Sequence, residues 1–123
     1  MRAFGAILMQ IYLIQTAVPQ AATSFHGQDM LLALATLELN PQLILQGDAL
    51  LQITADHDQQ RFGKSLQKRY GLLALFDAPE PWVLSDDLTA MNLTPDDFVI
   101  EVVVKTTDEV MTALAQSSKV LRF

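Results

Sequence analysis

The sequence predicts a single-domain α/β sandwich: a mostly parallel five-stranded sheet covered by helices on both faces. Three observations lead there. Apolar, strand-like runs alternate with helical segments along the chain, and no internal repeat breaks the alternation. The strongest run, Phe98 to Val104, is apolar on both faces apart from Glu101, the pattern of a central parallel strand buried under helices. Thr106 to Glu109 then reads as a capping box that starts a helix directly after that strand. Crossovers between such strands are expected to be right-handed.

The first strand is predicted over Phe4 to Leu13, rich in Ile, Leu, Phe and Tyr. A rival reading takes Arg2, the apolar run Ala3 to Ile14 and the small residues after it as a secretory signal. Gln10 interrupts that run, and it falls short of the ~20 residues a membrane span needs. A loop from Gln15 to Thr23 contains Pro19, and a helix is predicted from Ser24 to Leu39, ending ahead of Asn40-Pro41. Between Met30 and Leu37 its only polar side chain is Thr36, so it should be covered on more than one side, the second cover being another subunit. Gln42 to Leu45 is a short strand, and Gly47-Asp48 turns the chain into a brief helix over Ala49 to Ile53. Asp56-His57-Asp58 is expected to start a helix running to Leu73, with Asp58 as its N-cap. Trp82 to Leu84 is the third strand, with Trp82 in core or interface packing. Ser85 or Asp86 caps a short helix to Asn92, and Thr94-Pro95-Asp96-Asp97 forms a turn. The helix after Thr106 should bury Val110, Met111, Leu114 and Ala115, and Val120 to Phe123 closes as the last strand.

Composition narrows the function classes. The chain has 123 residues, half of them hydrophobic and 18% charged, enough to bury roughly two thirds of its unfolded surface and inconsistent with disorder. Eight Lys and Arg against 14 Asp and Glu leave a net charge of −6, which disfavours direct binding to nucleic acid. Cys is absent, which excludes a disulfide scaffold, a thiolate zinc site and a cysteine nucleophile or persulfide on this chain.

Catalytic constellations are sparse. Five glycines form no phosphate-binding loop. Ser24, His26 and Asp29 have the residue types of a hydrolase triad, but three residues within six positions and no nucleophile elbow favour a polar helix start. Asp56-His57-Asp58 reads as a capping loop rather than a metal site, since adjacent side chains seldom face one centre. Arg61, Lys64 and Lys68, at i, i+3 and i+7, form a basic stripe on a solvated helix face, with docking to an acidic partner surface or, behind it, an RNA phosphate as the alternative. Glu101 is the best polar candidate, expected either at the carboxyl-end crevice of the sheet or paired by a neighbour. No catalytic, cofactor-binding or metal-binding residue is assigned.

Several segments resemble the TusC/DsrF family: Ala74-Leu75-Phe76-Asp77, Pro81-Trp82-Val83-Leu84, Asp97-Phe98-Val99-Ile100-Glu101, the closing Val120-Leu121-Arg122-Phe123, and His26-Gly27 leading into Leu34-Ala35-Thr36. The resemblance covers most of the chain in order, with a longer loop between Ile11 and Thr23. It implies a DsrE-like domain over residues 1–123, cytoplasmic, with no cofactor and no membrane. It also implies a place in a heterohexamer with TusB-like and TusD-like subunits that passes persulfide sulfur to a TusE-like carrier. The end point would be 2-thiouridine at the tRNA wobble position, or sulfur oxidation in DsrEFH-like relatives. The TusD-type cysteine would fall near Val83-Leu84-Ser85, and a serine oxygen cannot replace a thiolate in sulfur exchange. The chain would thus be a non-catalytic subunit, able to form a homo-oligomer when isolated. Gly47-Asp48 reverses the family's Asp-Gly order, so no site at that turn is carried over. Two further readings stand beside this one. The first is a stand-alone homo-oligomeric ligand binder or enzyme using Asp48, Ser85 and Glu101. The second is a secreted domain.

Overall fold

The computed structural model describes residues 10–117 and 119–123, so the Phe4 to Met9 part of the predicted first strand lies outside the described residues. Five parallel strands form the sheet: β1 (Ile11–Gln15), β2 (Gln42–Leu45), β5 (Trp82–Leu84), β6 (Val103–Lys105) and β7 (Lys119–Arg122). Two more, β3 (Gln60–Arg61) and β4 (Lys64–Ser65), pair as a separate antiparallel hairpin. The sheet order is β6-β5-β2-β1-β7. Leu13 lies opposite Leu43 and Leu121, and Ile44 opposite Trp82.

That order explains the layers. From β1 through β2 and β5 to β6 the chain steps in one direction, then returns across the sheet to β7. Right-handed connections therefore place the first helices on one face and the last on the other. The two cores follow this division. Leu13, Leu43, Leu45 and Val83 point to the face covered by α1 (Ala22–Thr36), α2 (Leu66–Tyr70), α3 (Leu72–Leu75) and α4 (Ser85–Met91). Tyr12, Ile14 and Ile44 point to the opposite face, with Trp82 and Leu84 packed against them under α5 (Thr107–Ala115). The alternation is the period-2 pleat of the strands.

Local chemistry sets the element ends. Helix α1 stops at Thr36, three residues earlier than predicted. The Leu39 amide donates to the Leu34 carbonyl at 3.1 Å and the Glu38 amide to Ala35 at 3.0 Å, with Glu38 at φ 60°. This is a Schellman motif. At α5 the expected capping box is present: the Glu109 amide donates to Thr106 Oγ1 at 3.1 Å and the Thr106 amide to Glu109 Oε1 at 2.8 Å. Its buried face differs in part from the expectation. Val110 is buried and Leu114 half-buried, whereas Met111 and Ala115 are exposed. Thr94 and Asp97 form a second capping box over the short 3-10 turn Pro95–Asp97. Neither Ser85 nor Asp86 caps α4, because Ser85 is already helical and Leu84 holds the cap position.

Two predicted elements are corrected. The run Phe98 to Val104 is not a central strand. Only Val103–Lys105 pairs, at the sheet edge, and the central strand is β2, buried along its length. The reason is a competing attachment. Ala55 donates to the Asp97 carbonyl at 2.8 Å and Val99 to the Ile53 carbonyl at 2.9 Å, and Thr54 bridges antiparallel to Phe98. Phe98, Ile100 and Val102 thereby pack on the core from a loop. The second correction is the helix predicted from Asp58 to Leu73. Phe62 and Gly63 both take positive φ, 53° and 72°, which is the two-residue hairpin turn. The helix starts only after Ser65, whose Oγ accepts from the Lys68 amide at 3.1 Å.

Candidate functional site

The carboxyl ends of the strands carry an acidic rim. After β2 comes Gly47 at φ +55°, a conformation that favours glycine, then the exposed Asp48. The first turn of α4 supplies Ser85, Asp86 and Asp87. The Gly47 amide donates to Asp87 Oδ2 at 2.9 Å, and Thr107 Oγ1 donates to Asp86 Oδ2 at 3.2 Å. The two aspartates stitch three neighbouring strand-end loops together, and Ser85, half-buried, is the first residue of α4 beside them. Strand order places the topological switch between β1 and β7, where the Thr16 amide and Oγ1 both donate to the Phe123 carbonyl.

Glu101 is not part of this rim. It is exposed and precedes β6, so it sits toward the amino end of the strand rather than in the carboxyl-end crevice. There it lines a cavity of about 510 Å³ between α2–α3 and the segments leading into β5 and β6. Tyr70, Leu73, Pro81, Phe98 and Ile100 supply apolar wall, and Glu80, Asp96 and Glu101 bring carboxylates to it. The trio Asp48, Ser85 and Glu101 is therefore split between opposite ends of the sheet.

The remaining sequence candidates disperse as well. Ser24 is buried and donates to the Ala21 and Pro19 carbonyls, while His26 is exposed and Asp29 pairs with Arg69 at 2.5 Å. Asp58 is not the N-cap residue but ties the hairpin to the start of α2: Ser65 Oγ donates to its Oδ2 at 2.6 Å and the Gln67 amide, in the first turn of α2, to its Oδ1 at 3.0 Å. Desolvation alone would raise its pKa, but these bonds, with those from Gln59 and Gln60, outweigh it and hold the carboxyl below its ordinary value. No group of three or more His, Asp or Glu side chains among the described residues is placed to share a metal ion. Arg61, Lys64 and Lys68 do not form a helical stripe. Arg61 and Lys64 are cross-strand partners in the hairpin, and Lys68 lies on α2. They are neighbours through a turn rather than through helical spacing. Trp82 packs against Tyr12 with ring centroids 5.6 Å apart, and Lys105 Nζ lies 4.8 Å from its ring.

One buried constellation escaped the sequence reading. Gln15 Nε2 donates to the Ser24 carbonyl at 3.0 Å and to Tyr70 Oη at 3.1 Å, and Tyr70 Oη donates to Gln52 Oε1 at 2.5 Å. Gln52 in turn donates to the Ala17 carbonyl at 2.8 Å. Gly27 leaves room for it, since a Cβ there would lie 2.6 Å from Gln15 Nε2 and displace the amide. Burial pushes the Tyr70 hydroxyl pKa well above its usual value. The available signal was two glutamines beside apolar runs, Gln15 directly after Ile11 to Ile14 and Gln52 within Ala49 to Ile53.

No protein-family model matches the sequence, and no curated protein does. Among solved structures, the chain is similar to the crystal structure of the ychN protein from E. coli, with a TM-score of 0.80, 94% of this chain and 99% of that chain covered, and 19% identity. Likeness at that identity defines the fold. The domain has the DsrE-like α/β fold. No helix among the described residues is long and apolar enough to cross a membrane.

Proposed function

We propose that the chain is a non-catalytic, cytoplasmic subunit of a TusBCD-like sulfur-relay complex, passing persulfide sulfur toward 2-thiouridine at the tRNA wobble position. The observation that carries the reading is the pairing of a DsrE-like fold with a chain that has no cysteine. Ser85, near where the resemblance would put the sulfur-carrying residue, sits at the β5–α4 junction of the strand-end rim, and an alkoxide is no substitute for a thiolate there. The order of TusC/DsrF-like segments along the chain supports the same reading. So does the outer side of α1, where Met30 is 40% and Leu37 68% exposed, apolar surface suited to a subunit contact. TusB-like and TusD-like subunits are the proposed partners, and a TusE-like carrier would meet the complex through them.

The test is affinity purification of the tagged chain from its own cells, with native mass spectrometry of what accompanies it and analysis of tRNA after its deletion. Cysteine-bearing companions of similar size in fixed ratio, and loss of wobble 2-thiouridine, are the expected results. Companions with unchanged tRNA would move the subunit to a DsrEFH-like sulfur-oxidation role. A homo-oligomer without companions would sink the relay reading.

A further inference from the structure

We propose that the β3–β4 hairpin of one copy docks into the acidic-rimmed cavity beside α2–α3 of another, with Phe62 as the anchor. Phe62 is 89% exposed at the hairpin tip, the most exposed of the large apolar side chains among the described residues. It also occupies left-handed backbone geometry at φ 53°, where a residue with a Cβ costs roughly 1–2 kcal/mol and Asn or Gly is preferred. Within its own chain the ring meets the Arg61 guanidinium, 5.9 Å from its centroid, and joins neither core cluster. Strained, exposed residues of this kind persist where a contact uses them.

Charge selects the partner. Arg61, Lys64 and Lys68 are three of the chain's eight basic residues, gathered within eight positions around Phe62 in a protein of net charge −6, while Arg69 beside them is paired with Asp29. The cavity is the chemical complement: apolar walls from Leu73, Pro81 and Phe98, with Glu80, Asp96 and Glu101 around them. Its volume of about 510 Å³ falls within the ~300–1,000 Å³ of pockets that hold compact apolar ligands. The fit is between two different surfaces of the same molecule, since the tip that would fill the cavity stands in solvent on its own chain. Such a contact is heterologous, and closes a ring or extends a filament according to the rotation it imposes. A Phe side chain supplies only ~150–250 Å², so it acts as an anchor to which flanking surface adds. Leu75, adjacent in sequence to the cavity-lining Ala74, is 75% exposed and available for this. Opposite charges at the rim steer and orient the approach more than they hold it.

This contact does not depend on the sulfur-relay reading. It is tested by sedimentation velocity over a concentration series with the full chain, Phe62→Asn, and the double variant Glu80→Lys/Glu101→Lys. Asn suits the turn better than Phe, and both carboxylates are exposed, so neither variant should lose the fold. Wild type is expected to self-associate with rising concentration, and each variant to weaken that association at least about tenfold. Mixing the two variants should restore a 1:1 pair that grows no further, because one retains only its cavity and the other only its hairpin. A wild type that stays monomeric overturns the proposal, leaving the cavity to a different chain or a small cationic ligand. Undiminished association of Phe62→Asn, or failure of the mixture to pair, also overturns it.

Discussion

At the residue scale, the consequential side chain is Tyr70. Its hydroxyl accepts from Gln15 and donates to Gln52, joining the end of β1 to the 3-10 turn after β2 through the helix that covers both. Tyr70→Phe keeps the ring and removes the bridge, leaving Gln52 Oε1 buried without its donor. The expected loss is about 1–3 kcal/mol in urea unfolding. The pH dependence is a second readout. The folded-state pKa of Tyr70 is raised, so its contribution is full below the unfolded value and is lost as pH rises past about 10, where unfolded tyrosine ionises. The variant should show a shallower alkaline loss of stability than wild type. An equal alkaline slope in both proteins would show that the hydroxyl is not held as described. None of this was legible in the sequence, because a hydrogen-bonded glutamine in a core has the same letter as a solvated one. Only its position in an apolar run marks it.

Helices and strands were legible where their ends carry local chemistry. The capping box at Thr106, the Thr94–Asp97 turn, β2 and β5 follow from residues that act within one or two turns of the chain. The errors came from contacts between distant segments. Phe98 to Val102 has strand composition, but the 53–55 backbone holds its first part and only its continuation reaches the sheet. Residues 58–65 have helical spacing of charge, yet Phe62-Gly63 makes a hairpin and Ser65 becomes the cap. The end of α1 shows how little separates the alternatives: the helix stops when Glu38 adopts a left-handed conformation that most residues avoid. Glu38→Gly removes that penalty at C′ of the Schellman motif while preserving both of its backbone bonds. Stability should rise by about 0.5–1 kcal/mol, allowing for the greater unfolded-state entropy of glycine. A lowered thermal midpoint would mean the helix end is set by something other than this turn.

For the whole molecule, the sheet order separates three surfaces with different chemistry. The carboxyl ends carry acidic loops tied to one another, the amino side of β5 and β6 carries the cavity with Glu101, and the outer side of α1 carries exposed apolar residues. The sequence reading merged the first two where it treated Glu101 as a strand residue and expected it either in the crevice, with Asp48 and Ser85, or paired by a neighbour. For the third it expected a second subunit as cover, because a helix with one polar side chain between Met30 and Leu37 cannot have a solvated face without exposing apolar surface, and the single chain leaves Met30 and Leu37 exposed there. That surface separates assembly from folding. Met30→Glu/Leu37→Glu alters side chains that stay 40% and 68% exposed in the isolated domain, and its unfolding free energy should stay within about 1 kcal/mol of wild type. If α1 seats a TusB-like or TusD-like subunit, the same variant should fail to bring companions through native purification, while Phe62→Asn retains them and loses only self-association. The opposite assignment, companions lost with Phe62→Asn and kept with the α1 variant, would give the hairpin the role proposed for the helix. Loss of stability in the α1 variant would place Met30 and Leu37 in the fold of the single chain, and remove the argument that a subunit covers them.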